Sequence, residues 1–423
     1  MIFNRRDFLK AMGAATASGA LYGCAGGTRA GGHVVVVGGG FGGATAAKYL
    51  RKWSEGGVQV TLIERDAQFV SCPISNLILS GDKTLADVTV GYEGLKKWGV
   101  RVIHDDVTGI DAAKRTLRLA RGGELSYDRL VLSPGVDFVY DQIPGLASPA
   151  AQGQILHAWK AGPQTVALGK QLADMKDGGV FAITIPKAPY RCPPGPYERA
   201  SVVAGYFKAK KPKSKVLVLD ANAEIISKKG LFTKAWSELY KDIIDYRPNS
   251  ELRDVDVAGR SAVLEFDTVK ADVLNVIPPQ RAGAIAVRSG LKLINQRWVD
   301  IDWRSMEATG TPGIHVLGDA TFSAPGMPKS GHMANQHAKL AAAAILNLLA
   351  GQPPNPEPLV MNTCYSFIDS QNAIHVASVH RYDADKKTLV PVDGAGGVST
   401  ARNELEFRYA LGWAQNIWAD MLT

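Results

Sequence analysis

The chain has 423 residues, of which 46% are hydrophobic and 21% are charged. This is an ordinary globular composition, and the length suffices for two or three domains that each have a core. The formal net charge is +8, and without residues 1–30 it falls to +5, from 44 Lys and Arg against 39 Asp and Glu. An excess this small gives no indication of nucleic acid binding.

The first 30 residues carry the pattern of a twin-arginine signal peptide. Arg5 and Arg6 precede an apolar stretch of small residues over 11–22. As a helix this stretch would be about 18 Å long, short of the ~30 Å hydrocarbon core, so a stable membrane span is not expected. We predict export to the periplasm. Two kinds of processing remain open, a lipid anchor at Cys24 or cleavage near residue 25 or 30.

A glycine-rich turn marks the first nucleotide-binding unit. A β-branched run, the turn and a helical segment follow one another from residue 33 to about residue 53. Gly38 permits the tight turn, Gly40 allows a pyrophosphate to approach, and Gly43 allows close helix packing. The next predicted strand ends at Glu64, where a carboxylate can bind an adenosine ribose. Together these features predict a dinucleotide site.

A later segment favours FAD as the dinucleotide. Residues 313–320 form a predicted strand ending in Gly-Asp, which resembles the second FAD signature of disulfide-reductase-like flavoproteins. In those proteins the aspartate that Asp319 matches contacts the ribityl and pyrophosphate region. An alanine-rich helix over 334–349 follows. We therefore expect an FAD domain split between residues 31–145 and 284–350.

The intervening residues 146–283 predict a second Rossmann-like domain without an NAD site. Strands are expected at 180–185 and 215–220, the latter ending in an acid. The loop over 186–197 contains five prolines, which remove five of the N–H donors that a phosphate cradle needs. Cys192 occupies the position of the expected phosphate turn.

The sequence resembles a known family, the flavoprotein subunit of flavocytochrome c sulfide dehydrogenase. The fold this implies is α/β, with two Rossmann-like three-layer domains of the disulfide-reductase-like FAD flavoprotein type and a C-terminal α+β domain over 351–423. The most specific stretches are residues 34–49, 72–76, 157–162, 191–200, 277–283, 327–331 and 362–366.

The resemblance gives each of the three cysteines outside the leader a role. The cysteine that Cys72 matches attaches covalently to the flavin 8α-methyl group through a thioether. Those that Cys192 and Cys364 match form a redox-active disulfide over the flavin, with the acid that Glu198 matches beside it. The alternatives are a buried free thiol at Cys72, a structural disulfide, and a helix-start carboxylate at Glu198.

The chemistry of such a disulfide is consistent with sulfide oxidation. Hydrosulfide can attack one sulfur, leaving a persulfide, assigned here to Cys192, and a thiolate on Cys364 that passes electrons to the flavin. Glu198 could move protons if burial raises its pKa. Lys329 either stabilises negative charge on the reduced flavin or is a surface lysine. Residues 159–160 are placed at the flavin rim, and no metal site is expected.

The electron acceptor is expected on another chain. No Cys-x-x-Cys-His motif is present, so the implied partner is a c-type cytochrome subunit that carries the haem in a heterodimer. Residues 404–422 predict a helix that either packs on the protein or forms a membrane foot, as in sulfide:quinone oxidoreductases. Its predicted apolar stripe is Leu405, Tyr409, Trp413 and Ile417. A redox-silent flavoprotein scaffold for a sulfur-oxidising cytochrome is the third interpretation.

Overall fold

The computed structural model describes residues 31–423, so the predicted signal peptide and Cys24 lie outside the described residues. The first part of the chain is a parallel sheet with small antiparallel additions. Its elements are β1 (His33–Val37), β2 (Gln59–Ile63), β3 (Gln68–Val70), β4 (Thr89–Gly91), β5 (Arg101–Ile103), β6 (Val107–Asp111), β7 (Thr116–Leu119), β8 (Glu124–Ser126), β9 (Arg129–Leu132) and β10 (Val136–Phe138), with helices α1 (Phe41–Trp53) and α2 (Glu93–Lys97).

The middle of the chain forms a second parallel sheet and a small antiparallel one. Its elements are α3 (Pro149–Gln154), α4 (Pro163–Asp174), β11 (Val180–Ile185), α5 (Gly195–Lys210), β12 (Lys215–Asp220), α6 (Lys229–Leu239), β13 (Ile244–Arg247), β14 (Leu252–Asp256), β15 (Ser261–Leu264), β16 (Thr268–Lys270), β17 (Val273–Val276) and β18 (Gln280–Ala282). The parallel sheet has the order β13-β12-β11-β17.

The last part of the chain returns to the first sheet and then adds a separate antiparallel layer. Its elements are α7 (Ala284–Arg288), β19 (Leu293–Ile294), β20 (Trp298–Val299), β21 (Ile301–Asp302), β22 (Glu307–Ala308), β23 (Ile314–Val316), α8 (Gly331–Leu349), β24 (Leu359–Phe367), β25 (Ala373–Asp383), β26 (Thr388–Val398) and α9 (Glu404–Leu422).

The first sheet joins distant parts of the sequence. Its order is β21-β22-β23-β9-β1-β2-β5, with β23 parallel to β9. The four valines of β1 are buried, as expected for a strand covered on both faces. Helices α1 and α8 pack together, and between them the Asn335 amide donates to the Thr45 hydroxyl at 2.9 Å. The α/β flavoprotein fold predicted from the sequence is confirmed.

The C-terminal layer is a three-stranded antiparallel sheet covered by α9. The apolar stripe predicted for this helix is partly wrong, because Leu405 and Tyr409 are 53% and 54% exposed. Ile417 of the predicted stripe is buried, and the other buried residues of the helix are Ala410, Ala414, Met421 and Leu422.

Polar contacts also fix the end of α9 on helices α1 and α8. Lys48 donates to the carbonyl oxygens of Ala419 and Asp420 at 3.1 and 2.9 Å. The Asp420 carboxylate accepts from Tyr49 and from Lys339. The helix therefore packs on the protein, which is the first of the two predicted placements. Within residues 31–423 no helix combines the length and the apolar character needed to cross a membrane.

Candidate active site

One cavity of about 570 Å³ connects the glycine-rich turn with the cysteines. Its walls come from both segments that form the first sheet, from the loop before α5 and from β24. The predicted site residues that line it are Gly40, Glu64, Cys72, Cys192, Glu198, Asp319 and Cys364.

The glycine turn has the geometry of a phosphate cradle at the N-terminus of α1. A Cβ at Gly43 would lie 1.8 Å from the Gly38 carbonyl oxygen, and one at Gly38 would lie 2.4 Å from the Ser133 carbonyl oxygen. These two glycines are therefore required by the protein itself. A Cβ at Gly40 would meet no atom within 4 Å. Gly40 instead leaves room inside the cavity, where a phosphate can reach the helix N-terminus.

Glu64 lies at the end of β2, beside this turn. Its carboxylate accepts hydrogen bonds from the backbone N–H groups of Gly39 and Asp66. These bonds orient the carboxylate, and Glu64 lines the cavity. It can thus accept from ribose hydroxyl groups, as the sequence predicted.

Asp319 supplies the clearest structural sign of an absent ligand. Its Oδ1 is fully buried and has no hydrogen-bond partner in the described protein. Burial raises the pKa of this carboxyl group, which the Arg191 and Lys329 charges oppose. A buried polar atom without a partner is rare, and a flavin hydroxyl group would satisfy it. The residues present therefore fit FAD.

Cys72 lies in the loop between β3 and a 3₁₀ turn at Ser75–Ile78. Its carbonyl oxygen accepts from the Ser75 hydroxyl at 2.6 Å, and its Sγ lies 3.8 Å from the Trp159 carbonyl oxygen. The thiol lines the cavity. Its loop is thus held on both sides while the sulfur remains accessible to a ligand.

Cys192 is held in a left-handed backbone conformation just before α5. Its φ is +57°, and its amide donates to the Lys329 carbonyl oxygen at 2.8 Å. A Cβ at Gly195 would lie 2.9 Å from the Cys192 Sγ, so this glycine makes room for the thiol. Burial raises the pKa of the Cys192 thiol, and the charges of Cys364 and Glu198 raise it further.

Cys364 lies in β24, opposite Val376 of β25. Its Sγ lies 3.4 Å from the Asn362 amide nitrogen, whose side chain is held in turn by the Ser330 hydroxyl. Burial raises the pKa of the Cys364 thiol, whereas the nearby Lys228 ammonium and the Asn362 hydrogen bond lower it. The two cysteines of the predicted pair therefore sit in different electrostatic surroundings.

The structure has all three described cysteines as free cysteines. The disulfide between Cys192 and Cys364 is thus not formed in it, and the pairing remains a prediction. Both thiols line the same cavity, and the charge of Cys364 raises the pKa of the Cys192 thiol.

Glu198 is buried in the first turn of α5, only 7% exposed. Its carboxylate accepts from the Asn76 amide at 2.8 Å. Burial raises its pKa, and the hydrogen bond from Asn76 and the charge of Lys228 oppose this rise. A carboxyl group of this kind can exchange a proton nearer to neutral pH.

Sequence reasoning missed the residues that hold these side chains. Arg199 is 2% exposed and donates to Asn76 at 3.0 Å and to Asn275 at 2.9 Å, while its guanidinium stacks on the Trp159 ring. Arg199 and Asn76 fall within stretches that carry the family resemblance, and this resemblance could have indicated that they belong to the site. Lys228 lies in a loop 136 residues before Cys364, where nothing in the sequence indicated a role.

Lys329 is buried but does not line the cavity. Its ammonium donates to the carbonyl oxygens of Asp319 and Thr321 and lies 3.8 Å from the centre of the Trp298 ring. Burial lowers its pKa to about 7. It is therefore not a surface lysine, and in this structure its ammonium braces the Asp319 loop. Of the two residues predicted at the rim, Lys160 lines the cavity, whereas Trp159 is buried outside its lining.

The acid at the end of β12 is occupied by protein groups. Asp220 is fully buried and accepts from the Tyr197 and Tyr246 hydroxyls at 2.8 and 3.0 Å. In a nucleotide-binding unit this position would face a ribose. The Asp220 carboxylate is thus bound by tyrosines of the protein at the position where a ribose would bind. The absence of an NAD site remains a prediction.

Comparison with known families identifies relatives for most of the chain. Residues 165–278 match the central domain of the sulfide dehydrogenase [flavocytochrome c] flavoprotein chain, and residues 356–422 match the flavin-binding domain of flavocytochrome c sulphide dehydrogenase. Residues 32–167 match the pyridine nucleotide-disulphide oxidoreductases. Residues 3–22 match the twin-arginine translocation signal, which confirms that prediction.

Individual relatives agree with this pattern. The chain is 60% identical over 46 residues, 11% of its length, to the sulfide dehydrogenase [flavocytochrome c] flavoprotein chain of Chlorobaculum thiosulfatiphilum, covering 94% of that sequence. It is 25% identical over 302 residues to the mitochondrial sulfide:quinone oxidoreductase of mouse, covering 68% of this chain and 65% of the mouse protein. The solved sulfide:quinone oxidoreductase of Aquifex aeolicus has the same fold, with a TM-score of 0.76, 19% identity and coverage of 92% and 91%.

Proposed function

This chain belongs to the family of the flavocytochrome c sulfide dehydrogenase flavoprotein chain, and on that premise we propose that it oxidises sulfide and delivers the electrons to a c-type cytochrome subunit. The supporting observation is the single cavity shared by a dinucleotide cradle, an unpartnered buried Asp319 and three cysteines. The product is sulfur or polysulfide.

Residues from both parts of the first sheet would hold FAD in this cavity. Gly40 and the start of α1 would hold its pyrophosphate, Glu64 its ribose, and Asp319 its ribityl region. Cys72 would hold it covalently, as the family resemblance implies. When bound, FAD supplies a two-electron acceptor beside the cysteines.

The first step opens the disulfide between Cys192 and Cys364. Hydrosulfide attacks the Cys192 sulfur, the bond between the two cysteines breaks, and its electron pair remains on Cys364 as a thiolate. The attacking sulfur is then the outer atom of a persulfide on Cys192. No electron has left the protein at this stage.

A second hydrosulfide completes the cycle. It attacks the outer sulfur of the persulfide, releases HSS⁻ with a proton, and leaves thiolates on Cys192 and Cys364. Reforming the disulfide between these thiolates releases two electrons. The net change is two HS⁻ to HSS⁻, one proton and two electrons, and repetition lengthens the polysulfide. Glu198 lies beside the pair with a raised pKa and takes up the proton.

The acceptor and the location complete the proposal. The twin-arginine signal supports export to the periplasm, where soluble c-type cytochromes operate. Lipidation of Cys24 remains a second route to the membrane surface. The packing of α9 on α1 supports an acceptor in solution, whereas exposed Leu405 and Tyr409 are what a quinone-reducing relative would place against lipid.

The decisive test uses protein purified from the periplasm with its cytochrome co-expressed. We expect flavin fluorescence that survives a denaturing gel and is lost in Cys72→Ala, together with haem reduction on adding sulfide. Cys364→Ser should retain the attached flavin and lose haem reduction. Turnover only with a quinone would favour a sulfide:quinone oxidoreductase. No turnover with either acceptor would favour the redox-silent scaffold.

A further inference from the structure

A buried lysine lies directly behind Cys364. Lys228 precedes α6 with a left-handed φ of +56° and is 7% exposed. Its ammonium donates to the Cys364 carbonyl oxygen at 3.0 Å and to the Ser366 hydroxyl at 2.8 Å. The second domain thus inserts a positive charge beneath β24, at the cysteine that is expected to receive negative charge.

Four acidic groups act on the Lys228 ammonium. They come from four different elements, namely Glu198 of α5, Cys192 of the preceding loop, Cys364 of β24 and Glu406 of α9. Burial lowers the pKa of Lys228 to about 8, and these acids oppose that decrease. The side chain therefore remains mainly protonated at pH 7. Ser366 also hydrogen-bonds the Glu198 carboxylate, which connects the acid to the lysine.

The two cysteines differ in the charges nearest to them. For Cys364 the largest effect after burial is the Lys228 ammonium, followed by the hydrogen bond from Asn362. For Cys192 the largest effects after burial are the negative charges of Cys364 and Glu198, and Arg191 opposes them more weakly. A thiolate is thus better stabilised on Cys364, and the better-stabilised thiolate is the better leaving group.

We propose that Lys228 is the positioning cation that makes Cys364 the leaving thiolate, so that hydrosulfide adds its sulfur to Cys192. This inference rests on the proposed function. In the step, the bond between Cys192 and Cys364 breaks, a bond between hydrosulfide and Cys192 forms, and the electron pair of the broken bond stays on the Cys364 sulfur. Lys228 neither donates an electron nor forms a bond to sulfur.

The first measurement is the pH dependence of alkylation of each cysteine. Reduced holoprotein is treated with iodoacetamide, and peptide mass spectrometry follows Cys364 and Cys192 separately. In Lys228→Met we expect alkylation of Cys364 at pH 7 to fall about tenfold, because its pKa rises when the ammonium is removed, with a smaller change at Cys192. Lys228→Arg should restore most of the rate. An unchanged Cys364 profile in Lys228→Met would overturn the proposal.

The adjacent lysine provides a matched control. Lys229 is largely exposed and pairs with Glu224 at the surface. Lys229→Met removes the same charge without changing a contact of β24. In this variant Cys364 and Cys192 should react with iodoacetamide at the rates measured in the unmodified protein. Lys228→Met leaves the Cys364 carbonyl and the Ser366 hydroxyl without their donor, so we expect a lower unfolding temperature. Unfolding would expose Cys364 and speed its alkylation, so a slower rate cannot be attributed to unfolding.

The second measurement locates the added sulfur. Oxidised holoprotein is mixed with one equivalent of sulfide and blocked with iodoacetamide, and the additional sulfur is assigned by mass. We expect it on Cys192, with a substantial share moving to Cys364 in Lys228→Met. Sulfur on Cys364 in the unmodified protein would refute the inference. Sulfur on neither cysteine would refute the proposed function, while the alkylation profile would still decide the effect of Lys228.

Discussion

Cys192 and Lys329 are joined through their backbones, with the Cys192 amide donating to the Lys329 carbonyl oxygen at 2.8 Å. This bond links the loop before α5 to the segment that leads into α8. It holds Cys192 in a left-handed conformation that costs a non-glycine residue about 1–2 kcal/mol. The position of the thiol is therefore set by contacts between distant parts of the chain.

The space around this thiol can be tested at Gly195. A Cβ there would lie 2.9 Å from the Cys192 Sγ and 2.7 Å from the Trp159 ring. We expect Gly195→Ala to displace the thiol and to lower sulfide turnover at least about tenfold, a barrier change of about 1.4 kcal/mol, with flavin content unchanged. Gly230→Ala, where a Cβ meets nothing within 4 Å, should leave turnover intact. Normal turnover in Gly195→Ala would show that the site adapts.

Substitution of two glycines of the phosphate cradle should have different effects, one on FAD binding and the other on folding. Gly40→Ala places its methyl group in open cavity space, so the fold should be unaffected while FAD binding weakens. Gly43→Ala brings Cβ to 1.8 Å from the Gly38 carbonyl oxygen and should prevent stable folding. Thermal unfolding and flavin absorbance of the purified proteins separate the two effects. Equal loss of stability in both variants would contradict this assignment.

Asp319 should strengthen FAD binding without stabilising the flavin-free protein. In a Cys72→Ala background, where flavin can exchange, we expect Asp319→Asn to weaken FAD binding about 10- to 100-fold, the loss of a hydrogen bond of about 1.5–3 kcal/mol to a charged group. The flavin-free variant should be at least as thermally stable as its parent, because Oδ1 is unpartnered there. Fluorescence titration measures the affinity. Asp106→Asn, a change at the surface, is the control.

Glu198 should make stability depend on pH in a predictable direction. Because burial raises the pKa of Glu198 in the folded protein, the native state binds this proton more tightly than the unfolded chain. Stability is then lost as the pH rises from the usual carboxyl pKa to the raised one, by about 1.4 kcal/mol for each pH unit that separates the two values. Glu198→Gln should remove this loss, so its unfolding temperature relative to the unmodified protein should increase with pH. A constant difference would show that Glu198 has an ordinary pKa.

Local sequence patterns predicted the framework well because neighbouring residues determine it. The strands at residues 33–37, 180–185 and 215–220 and the helix at 404–422 have the predicted limits. Helix α8 begins three residues earlier than predicted, at Gly331. Ser330 and Gly331, which open this helix, are residue types that are typical of loops.

The site was less predictable where it depends on contacts across the fold. Cys72, Cys192 and Cys364 were found because their chemistry and the family resemblance single them out. Lys228 was missed, since a lysine in a loop indicates a surface residue unless its burial is known. The apolar stripe on α9 was misjudged because large side chains were weighed above alanines, whereas Ala410 and Ala414 make the close contact.

Each of the three cysteines belongs to a different part of the fold. Cys72 follows β3, Cys192 precedes α5 and Cys364 lies in β24, yet all three line one cavity. A chain in which any one of these parts is unfolded contains only scattered thiols. The three thiols therefore come together only after all three parts of the chain have folded. A protein that is exported in the folded state has a complete site before it meets its substrate.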